Sequence, residues 1–145
     1  MADRSPPGRR ADYRVFRAIT TRWMDNDGYG HLNNAVYYSL IDTAVTGHLV
    51  DCGVLAGHTS EIVGLAVESG CRFFSPVSFP ESVTAGIRVG HRGRSSVRYE
   101  VGLFGGEAEV ASAEGHFVHV YVDRATNRPV PLPAALERAL ATLLA

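Results

Sequence analysis

Apolar positions along the chain follow two rhythms, one with the period of a helix and one with the period of a strand. From Asn33 or Asn34 to about Val50, residues Tyr37, Leu40, Ile41, Ala44, Val45 and Leu49 recur at helical spacing on one broad face, and either asparagine can cap the first turn. Beyond Ile62 the rhythm changes. Val83, Ala85, Ile87 and Val89 alternate with Thr84, Gly86 and Arg88, as the two faces of a strand require. The stretches Ile62 to Phe74, Ser95 to Phe104 and Glu107 to Val122 also read as strands, and Tyr13 to Thr20 supplies a shorter one ahead of the helix. Gly93 and the pair Gly105-Gly106 mark two hairpins, Pro129, Pro131 and Pro133 end the sheet, and Ala134 to Leu144 reads as a short terminal helix. One long helix set between a first strand and four strands joined by tight turns predicts an α+β fold, with an antiparallel sheet of about five strands wrapped round the helix. Residues 1–11, polar and rich in Arg and Pro, are expected to be a disordered lead-in, and residues 12–145 a single domain.

Composition narrows the function classes. With a formal net charge of -1 and 46% hydrophobic residues, the chain has neither the basic surplus of a nucleic-acid binder nor the apolar surplus of a membrane protein. No run approaches the roughly 20 apolar residues of a membrane span, and Met1 to Arg10 lacks a secretory h-region, so a soluble cytoplasmic protein is expected. Every one of the 14 basic residues is Arg, a bias that carries little functional weight. The two cysteines, Cys52 and Cys71, form no Cys-x-x-Cys pair and no zinc-ligand spacing, which reads as free thiols.

Candidate chemistry concentrates where the first loop meets the helix. Asp25-Asn26-Asp27-Gly28-Tyr29-Gly30 is turn chemistry throughout, and it leads through His31 and Leu32 into the helix start. A helix N-terminus offers unpaired N–H groups and partial positive charge, which suit a carbonyl oxygen becoming an oxyanion. On the other side of that carbonyl, Asp27 could attack it or deprotonate a water. The bland alternative is that Asp25 and Asp27 only build a turn and that Asn33 and Asn34 only cap. Asp25, Asp27 and His31 lack a clear fourth metal ligand, so no metal and no cofactor is expected. Glu68 and Arg72 share a strand face by period two and read as an edge salt bridge, with an active-site role for Glu68 as the sharper alternative. The Gly-x-Ser-x-Gly signature is missing, and Gly28-Tyr29-Gly30-His31-Leu32-Asn33 breaks the dinucleotide fingerprint at its last position.

The stretch holding Asp25, Asp27, Gly30, His31, Asn33, Asn34 and Tyr37 resembles the active-site signature of the 4-hydroxybenzoyl-CoA thioesterase-like family of hotdog proteins. Gly93-Arg94-Ser95-Ser96 and the tail Val122-Asp123-Arg124 with Arg128-Pro129-Val130-Pro131 are further, weaker points of similarity, so the likeness runs from about Tyr13 to Pro133. The resemblance implies a thioesterase that hydrolyses acyl-CoA to free acid and CoA. It implies Asp27 as base or nucleophile, and a backbone amide at or beside Asn34 polarising the thioester. Gly30, His31, Asn33 and Tyr37 are the candidate substrate contacts, with a loop histidine bonding backbone carbonyls as the alternative for His31; Arg94, Ser95 and Ser96 could meet the CoA across a subunit boundary or be ordinary turn chemistry, and a homodimer or homotetramer is expected. The acyl chain is expected to run along the helix beneath Tyr37 and Ile41. The alternative function is a non-catalytic acyl-CoA binding module of the same fold; a hydratase is disfavoured because its Gly-Asp-x-Asn-Pro motif is absent.

Overall fold

The computed structural model describes residues 5–55 and 60–145. Five strands, β1 (Val15–Ile19), β2 (Ile62–Phe73), β3 (Val83–Arg92), β4 (Ser96–Gly105) and β5 (Ala113–Asp123), form one antiparallel sheet in the order β1-β3-β4-β5-β2. The long helix α1 (Asn34–Asp51) packs on one face, and a shorter helix α2 (Ala134–Ala141) follows the sheet. This is the expected α+β hotdog arrangement, a bun of strands round one helix.

The helix forms where the sequence says it should. Its buried positions are Tyr37, Leu40, Ile41, Ala44, Val45 and Leu49, which pack against inward-facing Ile87, Tyr99, Val101 and Tyr121. Helix and sheet meet most closely at Gly115, where a Cβ would collide with Ile41 Cδ1, so only glycine fits under the helix there. At the far end of the molecule, α2 buries Leu136, Ala139 and Leu140, and the chain after it hydrogen-bonds to Val89.

Boundaries shift where loops find other partners. The last strand begins at Ala113, later than expected, because Glu109 and Ala111 pair instead with the N-terminal segment: Arg10 N–H donates to Glu109 O, and Ala111 N–H to Gly8 O. Gly8 N–H also donates to Glu114, and the Arg10 guanidinium stacks 4.9 Å from the Phe104 ring centroid. Residues 8–11, read from sequence as part of a disordered lead-in, are thereby fastened to the outer face; residues 1–4 lie outside the described residues. The third strand runs on to Arg92 through a bulge between Val89 and His91, whereas α2 stops at Ala141, short of Leu144. Among the described residues no helix is long and apolar enough to cross a membrane.

The two sheet edges differ. β1 is five residues long, whereas the twelve-residue β2 has β5 as its one strand neighbour among the described residues, with Leu65 and Val67 exposed on it.

Candidate active site

After β1 the chain crosses the end of the sheet in a loop held from within. Residues Trp23–Asp25 make one tight 3-10 turn. The carboxylate of Asp25, only 2% exposed, accepts from Arg22 N–H (2.8 Å), Nη2 (2.9 Å) and Nε (3.2 Å). Burial alone would raise its pKa, but the hydrogen bonds and charge of Arg22 outweigh burial and hold it below the usual carboxylate range. Asn33 N–H donates to Asp25 O (2.9 Å), tying the loop's start to the helix cap. Between them, Asp27 N–H donates to His31 O (2.7 Å), and Gly30 adopts φ +82°, the left-handed region that glycine enters without strain. Ser78 Oγ–H donates to Gly30 O, and Asn26 Oδ1 accepts from Phe79 N–H, so the loop before β3 braces this one.

Asp27 is set up asymmetrically. Its Oδ1 accepts from Tyr29 N–H (2.8 Å) and, at longer range, from His31 N–H (3.4 Å), while among the described residues nothing donates to Oδ2. The helix start is asymmetric too. Asn33 Oδ1 takes the Ala35 N–H and Asn33 O the Val36 N–H, both at 2.9 Å, but the N–H of Asn34 finds no acceptor among the described residues. Asp27, His31, Asn34 and Tyr37 line one open cleft of about 460 Å³, closed on its other side by the chain from Phe73 to Pro76. Tyr37 is only 4% exposed; burial pushes its phenol upward, against a hydrogen bond with the Val77 backbone. Its ring meets Phe73 edge to face at 5.0 Å. A held carboxylate lining the same cleft as a helix-start N–H can attack a carbonyl, or deprotonate a water that does, while that N–H donates to the carbonyl oxygen.

Of the residues singled out from sequence, Asp27, His31, Asn34 and Tyr37 come together. Gly30 and Asn33 shape the loop and cap the helix. Arg94, Ser95 and Ser96 do not join them within one chain. They form the β3–β4 turn, fixed by Leu132 N–H to Arg94 O and Tyr121 N–H to Ser95 O, at the opposite end of a ten-residue strand, roughly 30 Å away at about 3.3 Å per residue. Phe73 to Pro76 were not foreseen as cleft residues; the aromatic pair Phe73-Phe74 breaking strand alternation just before Pro76 was the available signal. Glu68 and Arg72 are not paired with each other. Glu68 meets His116 (2.9 Å) and Arg98 (3.6 Å), and Arg72 meets Glu114 (3.0 Å), all on the outer face of the sheet, because cross-strand neighbours lie closer than positions four apart on one strand. Among the described residues no three or more His, Cys, Asp or Glu side chains are grouped as a metal site.

Comparison with known proteins identifies the family and the fold. The sequence pattern of the thioesterase superfamily matches residues 29–112. The crystal structure of the PA5185 protein from Pseudomonas aeruginosa strain PAO1 is 46% identical and superposes with a TM-score of 0.94 over 97% of this chain and 98% of that one. A thioesterase from Thermus thermophilus, solved as a complex with coenzyme A and Zn, is 27% identical with a TM-score of 0.74, covering 90% of this chain and 95% of that one. A 1,4-dihydroxy-2-naphthoyl-CoA thioesterase from Synechocystis shares the fold at 14% identity, with a TM-score of 0.79 and coverage of 87% and 94%. No protein with a curated description matches. The superfamily pattern spans more than half of the chain and takes in α1, β2, β3 and β4, and the chain therefore belongs to the thioesterase superfamily, as a thioester hydrolase of the hotdog fold.

Proposed function

We propose that the protein hydrolyses acyl-CoA thioesters, with Asp27 as nucleophile or general base and the Asn34 N–H at the start of α1 polarising the thioester carbonyl. The observation that carries this reading is that one cleft is lined by two residues each with a group lacking a partner among the described residues: Asp27 with its Oδ2 and Asn34 with its N–H. As nucleophile, Asp27 adds to the carbonyl carbon, the C–S bond breaks, CoA leaves as thiolate, and water hydrolyses the mixed anhydride. As base, it takes a proton from water, and the hydroxide adds directly. Either route builds charge on the carbonyl oxygen, where one N–H donor is worth about 10²–10³-fold.

The reading includes a dimer. The outer edge of β2, which no strand covers among the described residues and where Leu65 and Val67 are exposed, is of the kind a second chain covers. A two-fold axis through the middle of β2 reverses strand direction, so it carries the partner's 94–96 turn towards the end of the sheet where Asp27 lies. In that arrangement the Arg94-Ser95-Ser96 turn reaches the phosphates or pantetheine arm of a CoA whose thioester sits at Asp27. The site is then completed by two chains.

Thiol release from a panel of short, long and aromatic acyl-CoAs tests the proposal. Wild type is expected to turn over, and Asp27→Asn to lose about two orders of magnitude or more in kcat. Binding of the esters without thiol release by wild type would make the protein an acyl-CoA binding module instead.

A further inference from the structure

Taking Asp27 as the reacting group, as in the thioesterase reading on which this rests, we infer that Ser78, on the loop before β3, is a positioning residue for the reaction: its hydroxyl fixes the peptide group that holds the Asp27 carboxylate. Asp27 sits at the foot of a small turn whose tip has little packing. A Cβ built on Gly28 or on Gly30 would meet nothing within 4 Å, and Tyr29 is 89% exposed. The turn therefore keeps its shape through hydrogen bonds. Asp27 N–H donates to His31 O (2.7 Å), Gly30 N–H donates to Asp27 O (3.2 Å), and Ser78 Oγ–H, from outside the loop, donates to Gly30 O (2.7 Å).

The bond from Ser78 reaches Asp27 through a single peptide. Gly30 O and His31 N–H belong to the same trans peptide group, in which C=O and N–H point in opposite directions. Holding the carbonyl towards Ser78 turns the N–H the other way, where it meets Asp27 Oδ1 at 3.4 Å, beside the shorter bond from Tyr29 N–H (2.8 Å). Both amides act on Oδ1, and among the described residues no donor reaches Oδ2, so they set which oxygen is left for chemistry. Gly30, at φ +82°, lets this peptide rotate at little steric cost once the serine hydroxyl is gone. Ser78 itself is anchored. Its N–H donates to Glu81 Oε2 (3.1 Å), Glu81 N–H donates to Ser78 O (2.9 Å), and Thr21 Oγ1–H donates to Glu81 O (2.7 Å). Its neighbour Val77 is buried and accepts from Leu32 N–H at 2.7 Å. An anchored hydroxyl thus links the packed end of the sheet to an unpacked turn.

Steady-state thiol release on the best acyl-CoA, with thermal unfolding alongside, tests the role. Ser78→Ala is expected to lower kcat about 10-fold, with KM changed by less than about 2-fold and the melting temperature nearly unchanged, since a misplaced reacting group costs rate and not binding. Ser78→Thr, which keeps the hydroxyl, should restore kcat to within about 3-fold of wild type. In the Asp27→Asn background Ser78→Ala should cost less than about 2-fold, because the group it positions is already disabled. Wild-type kcat in Ser78→Ala, a loss that Ser78→Thr does not restore, a loss undiminished beside Asp27→Asn, or a loss matched by unfolding of the variant each overturns the role. No turnover by wild type on any ester, or full turnover by Asp27→Asn, would instead sink the reading of Asp27 beneath it.

Discussion

The two ends of α1 are finished differently. At the C-terminal end three carbonyls of the last turn are taken: Gly53, at φ +73°, donates its N–H to Val50 O, Val54 N–H donates to Leu49 O, and Cys52 N–H to His48 O, a Schellman closure. The His48 ring lies 3.6 Å from Cys52 Sγ, yet a thiolate there would face the negative end of the helix. At the N-terminal end Asn33 satisfies two of the first-turn amides, and the third, that of Asn34, has no acceptor among the described residues and belongs to a residue lining the same cleft as Asp27. The Cys–His contact sits at the closed end of the helix, whereas the carboxylate proposed to be catalytic sits at the open one. The difference lies in which backbone groups are spent, not in which side chains are present.

Substitutions at the two ends should separate accordingly. Asp27→Asn is expected to give the largest effect, a loss of about 10²-fold or more in kcat with the melting temperature unchanged, read by steady-state kinetics and thermal unfolding side by side. Asp25→Asn should act through the scaffold. By loosening a nearly buried carboxylate from Arg22 it should cost about 1–3 kcal/mol in urea unfolding, with a smaller loss of turnover than Asp27→Asn. Asn33→Ala removes the cap and should cost about 1 kcal/mol. At the sealed end, Cys52→Ser should change stability by less than about 0.5 kcal/mol and leave turnover untouched.

Acid should loosen the two ends in different pH windows. Burial first, and the charge of Arg17 second, hold His48 below its ordinary value of 6.5, so its neutral form belongs to the folded state. That contribution is fully present above 6.5 and is lost as pH falls from there towards the lower folded value. His119, buried among Tyr99, Phe117 and Tyr121, shifts the same way. Asp25, lowered from 3.8, keeps its contribution above that value and loses it only as pH falls through its still lower folded value. Unfolding measured at about pH 7.5 and about pH 5.5 should therefore show a stability loss that His48→Gln reduces and Asp25→Asn does not alter.

How much of this was legible in the sequence follows from what each signal reports. Period-two alternation and helical spacing report burial, and burial is what the fold satisfies, so five strands, α1 and its apolar face could be read directly. The helix start was legible because Asn33 needs only its own neighbours to cap. The fastening of residues 8–11 to Glu109, Ala111 and Glu114 was not, since it depends on partners about a hundred positions away. Likewise Glu68 and Arg72 share a strand, but only strand order shows that His116, Arg98 and Glu114 stand nearer. At the site, Asp27 and Asn34 were visible as a motif. Phe73 to Pro76 became cleft residues only through the antiparallel return of β2 to the end of the sheet where α1 begins.

The measurement that goes most directly to the open helix end is the pair Asn34→Ala and Asn34→Pro, assayed for thiol release on the best acyl-CoA. Proline is tolerated at the first helical position and removes the N–H while keeping the helix, and Asn33, at φ -61° and ψ 138°, already has the extended backbone that a following proline requires. If that amide receives the developing oxyanion, Asn34→Ala retains most of the wild-type kcat and Asn34→Pro loses about 10²–10³-fold at unchanged melting temperature. Full activity in a folded Asn34→Pro protein would contradict the account.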